Sequence, residues 1–238
     1  MKPIYLAIII SLFLGHQLNA THLIQQHFHT ASIADTTWPE YKKEILNIVQ
    51  DKAPANNPAY SKRSTRDTWN YGYSFYQFDD DGNPKFNKIP QWLQDLGEKV
   101  SSKFKDKVPD GFVIDNILIA DYKTGDQVTP HFDFGKNNYP HENRYPYNKA
   151  DLNYHYGDIV LGLVVEIDED AHLYWVYSED TNGLPDEKAL ADYSMNEKEA
   201  DVYMIEGPIR FHPYYHAVTP AKNRRISITF RQTIFQDK

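Results

Sequence analysis

His131 and Asp133 are separated by one residue, and both side chains are of types that bind metal ions. If the segment is a strand, residues two apart project from the same face, so both could reach one ion. A chain with 10 His and 33 acidic residues is expected to contain such a pair by chance, and a His beside a surface acid is the ordinary interpretation. The pair is therefore a hypothesis that needs further ligands.

A third metal ligand is available near the C-terminus. His216 follows two tyrosines, and His212 is a competing candidate a few residues earlier. Two histidines and one carboxylate form the facial set that holds non-haem Fe(II) and leaves coordination positions open. We favour His216 over His212, and the three ligands would then be His131, Asp133 and His216.

The segment after His216 alternates between polar and apolar residues. Residues 225, 227, 229 and 231 are Arg, Ser, Thr and Arg, whereas 226, 228 and 230 are Ile, Ile and Phe. In a strand the first set shares one face, where the two guanidinium groups could bind carboxylates in a two-pronged manner. The ordinary alternative is an exposed strand with solvated charges.

Together these features resemble the AlkB-like family of 2-oxoglutarate/Fe(II) dioxygenases over residues 69–133 and 200–232. The matching pieces, in chain order, are TWNYGYSF (68–75), IPQWLQDL (89–96), NILIADYKTGDQVTPHFDF (116–134), IVLGL (159–163), YYHAV (214–218) and RRISITFRQ (224–232). The resemblance implies an α+β fold, a double-stranded β-helix or jelly roll with N-terminal helices packed on one sheet.

The resemblance also implies roles for the site residues. His131, Asp133 and His216 would hold Fe(II), with 2-oxoglutarate and O2 as co-substrates. Arg225 and Tyr122 would bind the distal carboxylate of 2-oxoglutarate, and Arg231 would lie near its proximal carboxylate and help to orient Asp133. Such enzymes couple the decarboxylation of 2-oxoglutarate to hydroxylation of a C–H bond, and hydroxylation of an N-methyl group leads to demethylation.

Two positions depart from the family pattern. The family often has Asn where this chain has Ala120, and Asn again where this chain has Ser227 in the co-substrate site. Both changes remove hydrogen bonds around the co-substrate carboxylates. They are the features that would favour an alternative from another class, a non-catalytic jelly-roll binding module.

Well-known members of the family extrude an alkylated base from its stack before acting on it. By that analogy Trp69, Tyr71 or Tyr73 would stack on the base, and Arg66 in the basic loop before them would contact phosphate. The ordinary interpretations are a packed strand and a solvated loop. Hydroxylation of a protein, a lipid or a small molecule is the alternative, because the fold does not define the substrate.

The elements that must position these residues follow from periodicity. Helical spacing predicts one helix from about Pro39 and a second from Pro90. Strands are predicted at residues 69–78, 115–122, 158–167, 172–177, 201–206 and 225–235. Two polar insertions, 136–156 and 178–200, interrupt the series, and their role is open. Helices followed by many short strands favour an α+β domain with a sandwich or jelly roll.

Composition sets the remaining limits. The net charge of −8 argues against a protein that coats nucleic acid, and the absence of Cys excludes thiol catalysis and disulfide scaffolds. Lys2 followed by an apolar run predicts a secretory signal over residues 1–20, and hence an exported protein, with a buried N-terminal helix as the alternative. We expect a polar arm over 21–37, one domain over 38–238, no membrane span after cleavage, and a monomer.

Overall fold

The computed structural model describes residues 19–52, 57–63, 65–78, 84–132, 154–167, 171–179, 185, 191–211 and 213–235. Within them, three helices pack against two β-sheets. Helix α1 covers residues 19–27, α2 is Trp38–Gln50 and α3 is Gln91–Ser102. None of the helices in these residues is both long enough and apolar enough to cross a membrane.

Twelve strands were assigned in the described residues. They are β1 (Phe28–Ser32), β2 (Tyr60–Lys62), β3 (Asp67–Phe78), β4 (Pro84–Asn87), β5 (Asn116–Lys123), β6 (Val128–His131), β7 (Tyr154–Ile167), β8 (Leu173–Tyr177), β9 (Tyr193–Ser194), β10 (Asp201–Glu206), β11 (Tyr214–Val218) and β12 (Arg224–Phe235).

The strands form two antiparallel sheets. The larger sheet has the order β1-β10-β7-β12-β5-β3-β2, with β4 paired to β3, and the smaller sheet has the order β6-β11-β8-β9. This arrangement confirms the predicted α+β fold with helices on one sheet. The predicted helices and long strands are present with small shifts in their ends. The short strands β2, β4, β6, β9 and β11 escaped prediction because they hold too few residues to show a period.

The two faces of the larger sheet bury different residues. Its outer face packs under α2 and α3, and the hydrophobic core there includes Ile45, Leu93, Ile117, Ile228 and Phe230. Its inner face turns toward the smaller sheet, where Val164, Trp175 and Tyr214 form a second cluster. Alternate residues of β12 therefore contribute to two environments, and the polar alternate set faces the space between the sheets.

Residues 21–37 differ from the predicted polar arm. They continue helix α1 and form β1, which pairs with β10 as the edge of the larger sheet. Phe28 is buried, and its ring centroid lies 4.7 Å from that of Trp175. An edge strand needs few apolar side chains because its backbone hydrogen bonds and one buried aromatic hold it, so periodicity did not reveal it.

Helix α1 contains the predicted cleavage site. Ala20 is 2% exposed and Ile24 is fully buried, and both belong to the cluster between the sheets. Cleavage after Ala20 would remove the first two described residues of this helix, and cleavage itself stays a prediction.

Candidate active site

His131 and His216 lie side by side in the smaller sheet. They are paired residues of the adjacent strands β6 and β11, and their ring centroids are 4.4 Å apart. The Nδ1 atom of His131 lies 2.9 Å from the carbonyl oxygen of Thr129. If Nδ1 donates this hydrogen bond, the neutral ring carries its unprotonated lone pair on Nε2, which is the arrangement that metal-binding histidines adopt.

The remaining predicted ligand cannot be placed. Asp133 and the competing candidate His212 both lie outside the described residues. Within the residues that are described, no group of three or more His, Cys, Asp or Glu side chains could hold a metal ion. The donor chemistry of the two adjacent imidazoles nevertheless fits Fe(II), and Asp133 follows His131 by two positions in the chain.

Arg225 and Tyr122 meet on the inner face of the larger sheet. They are paired residues of β12 and β5, and the Arg225 guanidinium carbon lies 5.4 Å from the centroid of the Tyr122 ring. Both residues are buried and line the same cavity as His131 and His216. The structure therefore brings Arg225, the cation proposed to bind the co-substrate, into the same site as the paired histidines.

The two departures from the family pattern are neighbours. Ser227 is paired with Ala120 across β12 and β5, so both changes affect one spot on the cavity wall. The Ser227 hydroxyl accepts a hydrogen bond of 2.7 Å from Nη1 of Arg225. Ser227 thus contacts the arginine that would bind the co-substrate.

Arg225 already has a carboxylate partner, Glu197. Nε and Nη2 of the guanidinium donate to the two carboxylate oxygens at 3.0 and 2.6 Å. The two side chains are 1% and 0% exposed. Burial lowers the pKa of Arg225, but the Glu197 carboxylate more than offsets this, so the pKa lies above its ordinary value and the group stays charged.

Arg231 marks the other end of the inner face of β12. It lies six positions after Arg225 in the chain, which corresponds to about 20 Å along a strand. Its Nη1 donates to the hydroxyl of Thr229 at 2.8 Å, and its guanidinium carbon lies 4.7 Å from the centroid of the Tyr156 ring. Its predicted contact with Asp133 falls outside the described residues.

The aromatic residues predicted to stack on a substrate do not face the cavity. Trp69 is fully buried in the core under the helices, and its indole nitrogen donates to the carbonyl of Asp51 at 3.1 Å. Tyr71 belongs to the same core. The Tyr73 ring packs against Phe86 and Phe235. This placement matches the packed-strand interpretation, because Trp69 and Tyr71 both lie in the core on the helix side of the sheet.

Arg66 is the one predicted substrate contact that lies at the cavity. It is half-buried and lines the cavity wall, and its guanidinium carbon is 5.6 Å from the centroid of the Tyr122 ring. Its position just before β3 places it on the inner side of the sheet. It is therefore available as a cation near the Arg225 end of the site.

The cavity between the sheets is narrow. Its volume is about 60 Å³, which is room for only about four to six water molecules. Tyr203 on β10 fills part of this space, with its ring over Gly162 of the neighbouring strand β7. A Cβ atom at position 162 would lie 2.0 Å from the ring, so only glycine allows this close approach.

Two buried polar residues were missed in the sequence, Glu197 beside Arg225 and Asn70 on β3. Glu197 lies in the insertion 178–200 among many acids, and no local pattern distinguishes it. Asn70 is fully buried, and within the described part of the chain neither of its side-chain amide atoms has a hydrogen-bond partner. The alternation of Thr68 and Asn70 with aromatic residues could have indicated Asn70, but the same pattern equally predicts a solvent-exposed face.

Comparison with known proteins identifies the fold. No family sequence profile matches the chain, and no curated protein matches its sequence. Among solved structures, an oxidoreductase of the 2OG-Fe(II) oxygenase family from Burkholderia pseudomallei is similar with a TM-score of 0.52 and 11% identity, over 90% of this chain and 88% of that one.

A second similar structure is a prolyl hydroxylase from Trichoplax adhaerens, solved in complex with a peptide from the oxygen degradation domain of hypoxia inducible factor. Its TM-score is 0.50 with 12% identity, over 92% of this chain and 91% of that one. Both matches span nearly the whole of each chain. The protein therefore has the double-stranded β-helix fold of the 2OG-Fe(II) oxygenases.

Proposed function

We propose that this protein is an Fe(II)- and 2-oxoglutarate-dependent dioxygenase that hydroxylates a C–H bond of its substrate. The observation that carries the proposal is that His131 and His216 are adjacent in the cavity that Arg225 also lines. The fold shared with the 2OG-Fe(II) oxygenases supports it.

The residues of this chain would act in three ways. His131, Asp133 and His216 would hold Fe(II), and the hydrogen bond to Thr129 would keep the His131 ring oriented. Arg225 beside Tyr122 would supply the positive charge for the distal carboxylate of 2-oxoglutarate. When bound, iron supplies the activation of O2 that is coupled to decarboxylation of 2-oxoglutarate.

The apolar walls of the cavity would exclude water from this chemistry. Leu118, Val160 and Leu173 line it together with the histidines. A water-poor site strengthens electrostatic interactions and limits side reactions. Arg225 is held by Glu197, however, so binding of a second carboxylate there requires that this pair open.

The proposed substrate class is a peptide or small molecule. The AlkB-like motifs favour demethylation of an alkylated base, but Trp69 and Tyr71, which would stack on it, are in the core under the helices. The position of Arg66 at the cavity wall still favours a phosphate-bearing substrate, because its guanidinium group could bind phosphate. We therefore place hydroxylation of a peptide or small molecule ahead of nucleic-acid demethylation.

An anaerobic titration of the full-length protein with Fe(II) and then 2-oxoglutarate tests the activity. We expect a visible charge-transfer band that is absent in His131→Ala and retained in His172→Ala, a matched control at a half-buried histidine that does not line the cavity. A folded wild-type protein without the band would contradict the proposal. That result would support the binding-module alternative, which the occupied Arg225 and the residues Ala120 and Ser227 favour.

Export is a separate proposal that depends on the apolar run before residue 20. Mass spectrometry of the protein isolated from its native source is expected to show a chain that begins at Thr21. A chain that retains Met1 would contradict export by this signal.

A further inference from the structure

The segment that carries Glu197 is held in place at both ends. The backbone nitrogen of Met195 donates to the carbonyl of Leu173, and that of Ala200 donates to the carbonyl of Val164, both at 2.9 Å. Ala200 has φ of 64°, a left-handed conformation that is uncommon for a residue with a Cβ. Backbone hydrogen bonds on either side of Glu197, one to β8 and one to β7, therefore fix its position.

The Glu197 carboxylate makes with Arg225 the contact that an external carboxylate would make. Two guanidinium nitrogens donate to its two oxygens, and Nη1 is engaged by Ser227. This two-pronged geometry is the one in which Arg binds carboxylates of any source. Since both side chains are almost completely buried, solvent does not weaken the interaction.

We propose that Glu197 is a built-in competitor for the distal carboxylate of the co-substrate, and that it thereby determines the selectivity of this site among 2-oxo acids. The inference rests on the proposed function. A second carboxylate at Arg225 would place two negative charges against one guanidinium in a buried site, which is unfavourable. The distal carboxylate must therefore displace Glu197, whereas a 2-oxo acid that lacks this group has nothing to displace.

Neutralising Glu197 is expected to favour 2-oxoglutarate selectively. In Glu197→Gln the amide retains one acceptor for Arg225 but no longer neutralises its charge. Because hydrogen bonds to charged groups are stronger than those between neutral groups, 2-oxoglutarate is expected to bind on the order of tenfold more tightly or better. Affinity for 2-oxobutyrate, which has no distal carboxylate, is expected to change less than about twofold, far below the value of one such bond.

The experiment is isothermal calorimetry on the full-length protein with Mn(II), which binds oxygen and nitrogen donors without turnover. Wild type, Glu197→Gln and Glu206→Gln are each titrated with 2-oxoglutarate and with 2-oxobutyrate. Glu206→Gln is the matched control, since it removes the same charge from a half-buried glutamate that pairs with His29 and does not line the cavity. It is expected to bind both acids as the wild type does.

Equal or weaker 2-oxoglutarate binding by Glu197→Gln would overturn the inference, because Glu197 would then only support Arg225. Tighter binding of both acids would also overturn it, since the effect would not depend on the distal carboxylate. If Glu197→Gln does not fold, Glu197→Asp replaces it, since its shorter side chain weakens the two-pronged contact and is likewise expected to raise affinity for 2-oxoglutarate alone.

Failure of the proposed function gives a different result. In that case wild type and all variants would bind neither Mn(II) nor either acid, although circular dichroism shows that they are folded. If only the inference fails, all the proteins still bind Mn(II) and the wild type still binds 2-oxoglutarate, but Glu197→Gln shows no selective gain in affinity for 2-oxoglutarate.

Discussion

The two faces of the larger sheet contrast sharply, although the same strands form both. On β12, Ile226, Ile228 and Phe230 are buried against the helices, whereas Arg225 and Arg231 are buried on the inner face. A buried apolar residue needs no explanation beyond packing, but buried charged residues require partners and are costly. The contrast shows that buried polarity, rather than aromatic content, marks the site in this protein.

Strand β3 shows the same contrast. Its aromatic residues Trp69 and Tyr71 lie on the outer face, and Thr68 and Asn70 lie on the inner face, all of them buried. Sequence alone makes the aromatic residues look like a binding platform. Their positions show that they pack the helices onto the sheet.

The largest expected effect is on the outer face. Phe230→Ala is expected to lower the free energy of unfolding by about 4 kcal/mol, because it leaves a cavity in a core that is fully buried. Chemical denaturation monitored by circular dichroism measures this. A loss below about 1 kcal/mol would show that the outer face is loosely packed, and would contradict its role as the apolar core of the larger sheet.

On the inner face, Arg225→Ala is expected to cost about 3 kcal/mol of unfolding free energy, because it strands the buried carboxylate of Glu197. The double variant Arg225→Met with Glu197→Leu is expected to recover most of that loss, because apolar residues can replace a buried ion pair. Chemical denaturation of the wild type, Arg225→Ala and the double variant measures the free energy of unfolding of each. A double variant as unstable as Arg225→Ala would mean that the pair itself stabilises the fold.

A substitution of Asn70 is expected to change stability and activity in opposite directions. Its buried amide has no hydrogen-bond partner within the described residues, so Asn70→Leu is expected to raise the free energy of unfolding by about 1 kcal/mol. If the inner face binds substrate, the same variant loses activity while it gains stability. A clear loss of stability would show that the amide is satisfied in the folded protein, for example by buried water.

The smallest effect is on pH dependence near the Arg231 end of β12. Burial raises the pKa of Asp115 to about 6, although the backbone nitrogen of Thr233 donates to its carboxylate at 2.6 Å. The folded protein therefore binds this proton more tightly than the unfolded chain, and its stability falls as pH rises from about 4 to about 6.

Asp115→Asn tests this pH dependence. It is expected to remove a pH-dependent loss of stability of less than about 1 kcal/mol, well below the value of the full pKa shift because the side chain is partly exposed. Thermal unfolding of both proteins between pH 4 and pH 7 measures it. Identical pH profiles would show that Asp115 is better solvated than its surroundings indicate.

Local pattern predicted much of the fold. The helices near Pro39 and Pro90 and the long strands have enough residues for a period to be visible, and each has one face committed to a core. The alternation of β12 correctly separated its polar face from its apolar face. The short strands and residues 21–37 were not predicted, since edge and two-residue strands are held by backbone pairing that leaves little trace in the sequence.

The sequence by itself determined which chemistry is available: two histidines and an Asp of ligand type, and a strand with arginines on one face. Only the tertiary structure decided which residues meet. It placed His216 beside His131 across 85 positions of chain, turned Trp69 toward the helices, and brought Glu197 onto Arg225. The physical reason is that strand order and register, which determine these contacts, arise from packing of the whole sheet and not from neighbouring residues.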